Sequence, residues 1–343
     1  MKTGMPVVIY QYSASIMLYT LTMYSGSQSG GGSYTVGTNV GITASAAPSG
    51  YSFLSWSYAF ANSGSSPTLF TMPSSNVIMS ASYSTLSQGN QWANQVVTNG
   101  GARPSAGTIS AADTFWNSIK SAGLDSLMIS VNIIAPDNLI AATTPLYSTT
   151  GNNPWTNNNF VDGDLSVNGL IGNGSSKWLD TGVATNGLNT NSVGLSFYAY
   201  DSQTSGYEGD AGATNGGAIN AYLGTADICY WDCWNTGGGR IHNNNFIKGF
   251  FLYNRDSSTT SQIYSANSGN GWTAFASGTG QSSIGTSGDV GSTTIGFWRQ
   301  NGNGYSGKTF SFCAVHSGLT STQGQNLYNA VQALRVALGG GYR

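Results

Sequence analysis

In the segment NVIMSASY, residues 76–83, Val77, Met79, Ala81 and Tyr83 fall on one side of an extended chain, and Ile78, Ser80 and Ser82 fall on the other. That two-residue period belongs to a strand with one face buried, and it excludes a helix. Runs of the same length precede it in YTLTM, NVGITAS, YSFLSW and LFTM. They follow it in SKWLDTGV, VGLSFYAY, AINAYLGT, FIKGFFLYN, SQIYSA, TTIGFWRQ and KTFSFCAVHS. Gly, Pro, Ser or Asn closes each run, so the pattern predicts short strands joined by turns, which is the signature of an all-β sandwich. Only two segments read as helices. SAADTFWNSIKSAGL offers Ser110 as N-cap, Asp113 at the third helical position, and Phe115 and Ile119 four apart. STQGQNLYNAVQALRVALGGG aligns Leu327, Val331, Leu334 and Leu338 on one face, with Gly339 as the stop.

Charge narrows the function. Only 7% of the 343 residues are charged and the net charge is −2. With no basic run anywhere, the chain has no electrostatic hold on phosphate, so nucleic acid is not an expected partner. Nineteen Tyr and nine Trp supply ample core material, which argues against disorder despite 48 Gly. The stretch VVIYQYSASIMLYTLTMY is interrupted by Gln11, Ser13, Ser15, Thr20 and Thr22, and it fits neither a secretory leader nor a spanning helix. No membrane insertion is expected. Residues 1–15 read as an extra strand or as an arm pairing with a neighbouring subunit. Cys229 and Cys233, if on one strand, lie about 13 Å apart, beyond the reach of a disulfide. With Cys313 they read as buried free thiols, the other reading being a zinc site completed by His242 or His316.

Residues 19–57, YTLTMYSGSQSGGGSYTVGTNVGITASAAPSGYSFLSWS, followed by LFTMPSSNVIMSASY, resemble the divergent form of the B repeat of listerial internalins and of many bacterial and phage surface proteins. The resemblance spans about residues 17–84. It rests on the YTVG turn, the aromatic trio Tyr51, Phe53 and Trp56, and the FTMP corner from Phe70 to Pro73. It implies a small Ig-like β module that serves as a spacer or attachment point. The segments TFWNSIKSAGLDSLMISVNIIAPDNLIAATTPL, NNNFVDGDLSVNGLIGNGSSKWLDTGV and FSFCAVHSGLTSTQGQNLYNAVQALRVALG are similar to virion-associated proteins of tailed phages. Their large domain is a concanavalin A or laminin-G-like jelly roll. The expected architecture is therefore all-β: an Ig-like module over 1–85, a linker over 86–108, and a concanavalin-like jelly-roll sandwich with short flanking helices over 109–343.

The chemistry expected of such a chain is sparse. Glu208 is the sole glutamate, so the two-glutamate machinery of laminarinase-type jelly rolls has no counterpart. Glu208 with Asp210, or Asp162 with Asp164, remain as carboxylate pairs, and both pairs read as lying in Gly-rich loops, where solvated polar residues are the rule. Neither His242 nor His316 is accompanied by a nucleophile elbow. The chain is accordingly expected not to be an enzyme. FVDGDLSVNG gathers Asp162, Asp164 and loop carbonyls, which read either as turn formers or as calcium ligands. DICYWDCWNTGGGRIHNNN gathers Tyr230, Trp231, Trp234 and Arg240, which read either as core and interface residues or as a glycan-contact cluster, since sugars stack their apolar faces on aromatic rings. The expected role is that of a structural phage virion protein, a head decoration, head fibre or tail component, with weak adhesion to host-surface glycans. Its partners would be capsid or tail proteins and further copies of itself, a trimer among the options. A secreted bacterial surface adhesin or carbohydrate-binding module is the alternative.

Overall fold

A computed structural model describes residues 17–24, 27–48, 50–201, 208–213, 219–223, 228–233, 241–244, 248–266, 271–279, 293–300 and 304–341. Residues 1–15, read above as an arm, lie outside them. The chain divides into two compact units, Met1–Leu86 and Ser87–Arg343.

The first unit has strands β1 (Tyr19–Tyr24), β2 (Ser27–Ser29), β3 (Gly32–Tyr34), β4 (Asn39–Ala44), β5 (Tyr51–Trp56), β6 (Thr68–Thr71) and β7 (Val77–Thr85). They form two sheets, ordered β3-β1-β7-β5 and β2-β4-β6, with β1 and β7 parallel. The alternation in β7 acts as its period requires: Val77 and Met79 are buried and Ile78 is exposed. They join Leu21, Val40, Ile42, Trp56, Phe70 and Met72 in one core. Trp56 donates its indole N–H to the Ser65 carbonyl at 3.1 Å, and Phe53 lies 5.5 Å from it, ring to ring. Two backbone bonds pin the FTMP corner to the YTVG turn. Gly37 donates to Met72 and Met72 donates to Thr38, both at 2.8 Å, and Gly37 takes the left-handed φ of +83° that a side chain would resist.

In the second unit, one sheet of seven described strands runs β10 (Thr156–Asn158), β13 (Trp178–Ala184), β22 (Thr294–Phe297), β15 (Glu208–Ala213), β16 (Ile219–Leu223), β17 (Ile228–Cys233), β18 (Ile241–Asn244). The facing sheet runs β11 (Leu165–Ser166), β12 (Gly169–Ile171), β25 (Thr309–His316), β14 (Val193–Ala199), β19 (Gly249–Arg255), β20 (Thr260–Ala266), β21 (Thr273–Thr279). Beside β25 lies β8 (Met128–Asn132), which pairs in turn with β9 (Tyr147–Ser148); β23 (Arg299–Gln300) and β24 (Gly304–Tyr305) form a small hairpin. Side chains from the two sheets meet in a core centred on Phe197, whose ring lies 4.8 Å from Phe310 and 6.5 Å from Phe297 of the opposite sheet. The fold is an all-β jelly-roll sandwich.

A third layer covers the back of the larger sheet. Helices α1 (Gln88–Thr98), α2 (Ala106–Ser121) and α4 (Ser321–Ala337) bury Tyr198, Phe250, Leu252, Tyr264 and Phe312; α3 (Leu139–Thr143) packs beside them. Burial on both faces explains why β14, β19 and β25 read as near-continuous apolar runs instead of alternating ones. No helix among the described residues is long and apolar enough to cross a membrane.

Two expectations change here. Residues 86–108 are not a linker, because 88–98 form α1, which buries Trp92, Ala93 and Val96. Trp92 is fully enclosed and donates to the Thr144 carbonyl at 3.0 Å. Asn and Gln on its exposed face disguised the helix as a polar connector. The N-cap of α2 is Ser105, not Ser110, and Asp113 serves the neighbouring helix instead of its own. Its carboxylate accepts from the Ser87 hydroxyl at 2.7 Å and from the Gly89 N–H at 2.6 Å, holding the start of α1. The two helices touch at Gly89, where an added Cβ would sit 2.5 Å from the Ile109 carbonyl oxygen.

Candidate functional site

Strand β17 decides what its aromatic cluster can do. Its alternation sends Trp231 and Cys233 into the sandwich core and leaves Tyr230 and Asp232 half-buried on the outer face. The Trp231 ring is fully enclosed, 5.6 Å from the Tyr253 ring, so Trp231 is a core residue and is withdrawn from the glycan-contact set. Burial pushes the Cys233 thiol up to about 12, which makes it inert. Cys233 and Cys313 are free and buried. Among the described residues no three His, Cys, Asp or Glu side chains gather around a metal position.

Tyr230 and Asp232 have company across the strands. The register sets Tyr230 opposite Tyr222 on one side and His242 on the other, and sets Asp232 opposite Asn220. Of the second pair only Asp232 keeps exposed surface, since Asn220 is buried. The end of β17 is anchored from beneath by Arg255, a fully buried guanidinium that donates to the carbonyls of Cys233 at 2.6 Å, Ser258 at 2.7 Å and Ser257 at 3.2 Å. Nothing in the sequence marked Arg255, because these acceptors are backbone carbonyls, which every residue carries. Trp234 and Arg240, the other two members of the sequence cluster, lie outside the described residues.

The calcium reading fits the structure poorly. Asp162 and Asp164 form a 3₁₀ turn, with Asp162 exposed. Asp164 spends both oxygens internally: Oδ1 pairs with the Lys177 ammonium at 2.5 Å, and Oδ2 accepts the Val161 N–H at 2.8 Å. A ligating carboxylate needs those lone pairs free, and no third acidic side chain of the described residues joins them.

Two polar constellations went unseen in the sequence because their members lie about a hundred residues apart. Ser196 and His316 meet at 2.6 Å, and His316 Nδ1 lies 2.7 Å from the Ser317 carbonyl. A carbonyl only accepts, so Nδ1 carries the hydrogen and Nε2 accepts from the Ser196 hydroxyl. Both residues are fully buried, and burial lowers the imidazole to about 4. The pair has nucleophile-and-base spacing but no surface, and its imidazole is oriented by a carbonyl instead of a carboxylate. The second constellation corrects the placement of Asp210, which is a fully buried member of β15 and not a loop residue. It faces the Lys308 ammonium at 2.7 and 2.8 Å and accepts from the Ser306 hydroxyl at 2.9 Å.

Residues 19–87 match the family model described as the divergent InlB B-repeat domain. The match falls on the first unit, where the strands and aromatic core described above carry it. No curated protein matches the chain. Among solved structures, Trypanosoma rangeli sialidase is similar at 10% identity and a TM-score of 0.42, over 64% of this chain and 38% of the sialidase. Domain 4 of the extracellular arabinanase AbnA from Geobacillus stearothermophilus, solved with arabinotriose, is similar at 13% identity and a TM-score of 0.36, over 58% of this chain and 99% of that domain. Tailspike protein 2 of an Escherichia coli bacteriophage is similar at 11% identity and a TM-score of 0.31, over 49% of this chain and 25% of the tailspike. The chain therefore spans well under half of the sialidase and of the tailspike.

These matches correct one expectation. The exclusion of enzymatic activity does not stand, because the solved structures matched include sialidases. The shortage of carboxylates bears only on the two-carboxylate route.

Proposed function

We propose that this protein is a structural surface component of a bacteriophage particle, with the B-repeat-like unit as spacer and the sandwich as the part that touches host-surface glycans. The contact is made on the outer face of β16, β17 and β18. One observation carries the reading: β17 turns Trp231 and Cys233 inward yet leaves Tyr230 and Asp232 partly exposed on the outer face. A tyrosine ring offers a stacking platform for a sugar, while an acid fixes its hydroxyls. The near-absence of net charge supports a glycan over a phosphate-bearing ligand. Low charge with many Tyr and Asn side chains also suits contacts between identical copies and with capsid or tail proteins.

The test is a titration of the full chain against host-cell polysaccharide, with Tyr230→Ala and Asp232→Ala as variants. Each is expected to weaken binding by about tenfold, equivalent to about 1.4 kcal/mol. Unchanged affinity in both variants rejects this face. Labelled antibody on purified particles then separates the virion from a secreted adhesin, which would be found in the bacterial culture fluid without phage.

A further inference from the structure

The geometry points to an intramolecular amide bond between the Lys308 side chain and the Asp210 carboxyl, closed spontaneously inside the folded sandwich. The two groups are already in reacting position. Lys308 Nζ lies 2.8 Å from Oδ1 and 2.7 Å from Oδ2, and neither side chain has any exposed surface. An ion pair sealed from water loses the hydration of both ions, and its mutual attraction returns only part of that loss. Passing one proton from the ammonium to the carboxylate removes both charges and leaves a neutral amine facing a neutral acid. Burial raises the Asp210 carboxyl above its ordinary range, with the Lys308 charge opposing, and that is the sense in which a protonated acid is favoured.

The backbones of both partners are clamped by one residue. Trp298 donates its backbone N–H to the Asp210 carbonyl at 2.8 Å and its indole N–H to the Lys308 carbonyl at 2.9 Å. Its own carbonyl accepts the Ser306 N–H at 3.0 Å. Trp298 holds a left-handed φ of +63°, a costly conformation for a tryptophan that the surrounding bonds enforce. Ser306, hydrogen-bonded to Oδ1, polarises the carboxyl. Holding amine and acid in contact replaces a bimolecular encounter with a unimolecular step, worth effective concentrations of about 10⁵ M or more.

The step balances without any further reactant. The nitrogen lone pair attacks Asp210 Cγ and the N–C bond forms. The C–OH bond then breaks, and the hydroxyl leaves as water with the second proton from nitrogen. Nothing is oxidised or reduced. The product ties β15 of one sheet to the residue preceding β25 of the other, across the core.

Intact-mass spectrometry of the denatured full chain decides the matter. The wild type is expected to be lighter than its sequence by one water. Trypsin is expected to release a branched species joining residues 178–240 to 300–335, with no cut after Lys308. Lys308→Arg, which keeps the charge but lacks a nucleophilic amine, is expected to show the full mass. Asp210→Asn is expected to lose one ammonia instead of one water. A wild-type chain of full mass, a free peptide ending at Lys308, or a water loss without the branched species overturns the proposal. The wild-type measurement stands even where a variant fails to fold.

Discussion

Acidification should weaken the sandwich through one histidine. His316 closes β25 with Ser196 on its Nε2 and the Ser317 carbonyl on its Nδ1, and Gly194 leaves the space its ring occupies, where an added Cβ would sit 2.2 Å from the His316 Cε1. An imidazole ordinarily titrates near 6.5, and burial carries this one down to about 4. Between those values the unfolded chain binds a proton that the folded chain refuses, so stability falls as the pH drops and is unaffected above about 6.5. Each tenfold change in proton affinity is worth about 1.4 kcal/mol, which makes the loss from pH 6.5 to pH 4 about 3 kcal/mol. That is a large part of the 5–15 kcal/mol (about) by which domains are generally stable. Urea unfolding at a series of pH values, followed for wild type and for His316→Asn, isolates the contribution, because carboxylates common to both proteins cancel in the difference. The wild type is expected to lose about 3 kcal/mol more than the variant over this window. Parallel stability curves, or a His316 NMR resonance titrating near 6.5, would refute the burial argument.

Two further outcomes test the packing. Asp113→Ala removes the acceptor for the Ser87 hydroxyl and the Gly89 N–H, and is expected to cost about 1–3 kcal/mol and to expose the α1 amides first in hydrogen exchange. Trp56→Ala empties the centre of the first unit and is expected to cost that unit about 3–5 kcal/mol, seen in calorimetry as a displaced transition, while the transition of the second unit stays in place.

Much of the fold was legible because strands and turns announce themselves locally. The alternation of Val77, Ile78 and Met79 states which side is buried, and the Leu327, Val331, Leu334 and Leu338 spacing states the inner face of α4. The same rule placed Trp231 and Tyr230 on opposite faces of β17, though it could not say which face was the core. Helix α1 was hidden because its apolar face is only Trp92, Ala93 and Val96 in a field of amides, and its stability comes from α2 and the Thr144 carbonyl.

The sequence by itself determined the class: short runs of period two between turn residues can bury apolar surface only as sheets, and a chain so poor in charge has few ionisable groups to place inside. The tertiary structure alone decided where those few went. Lys308 and Asp210 are 98 positions apart, and Ser196 and His316 are 120 apart. Local periodicity says which side of a strand a residue takes but never which distant strand will face it; that is fixed by sheet order and register, which the whole core selects together.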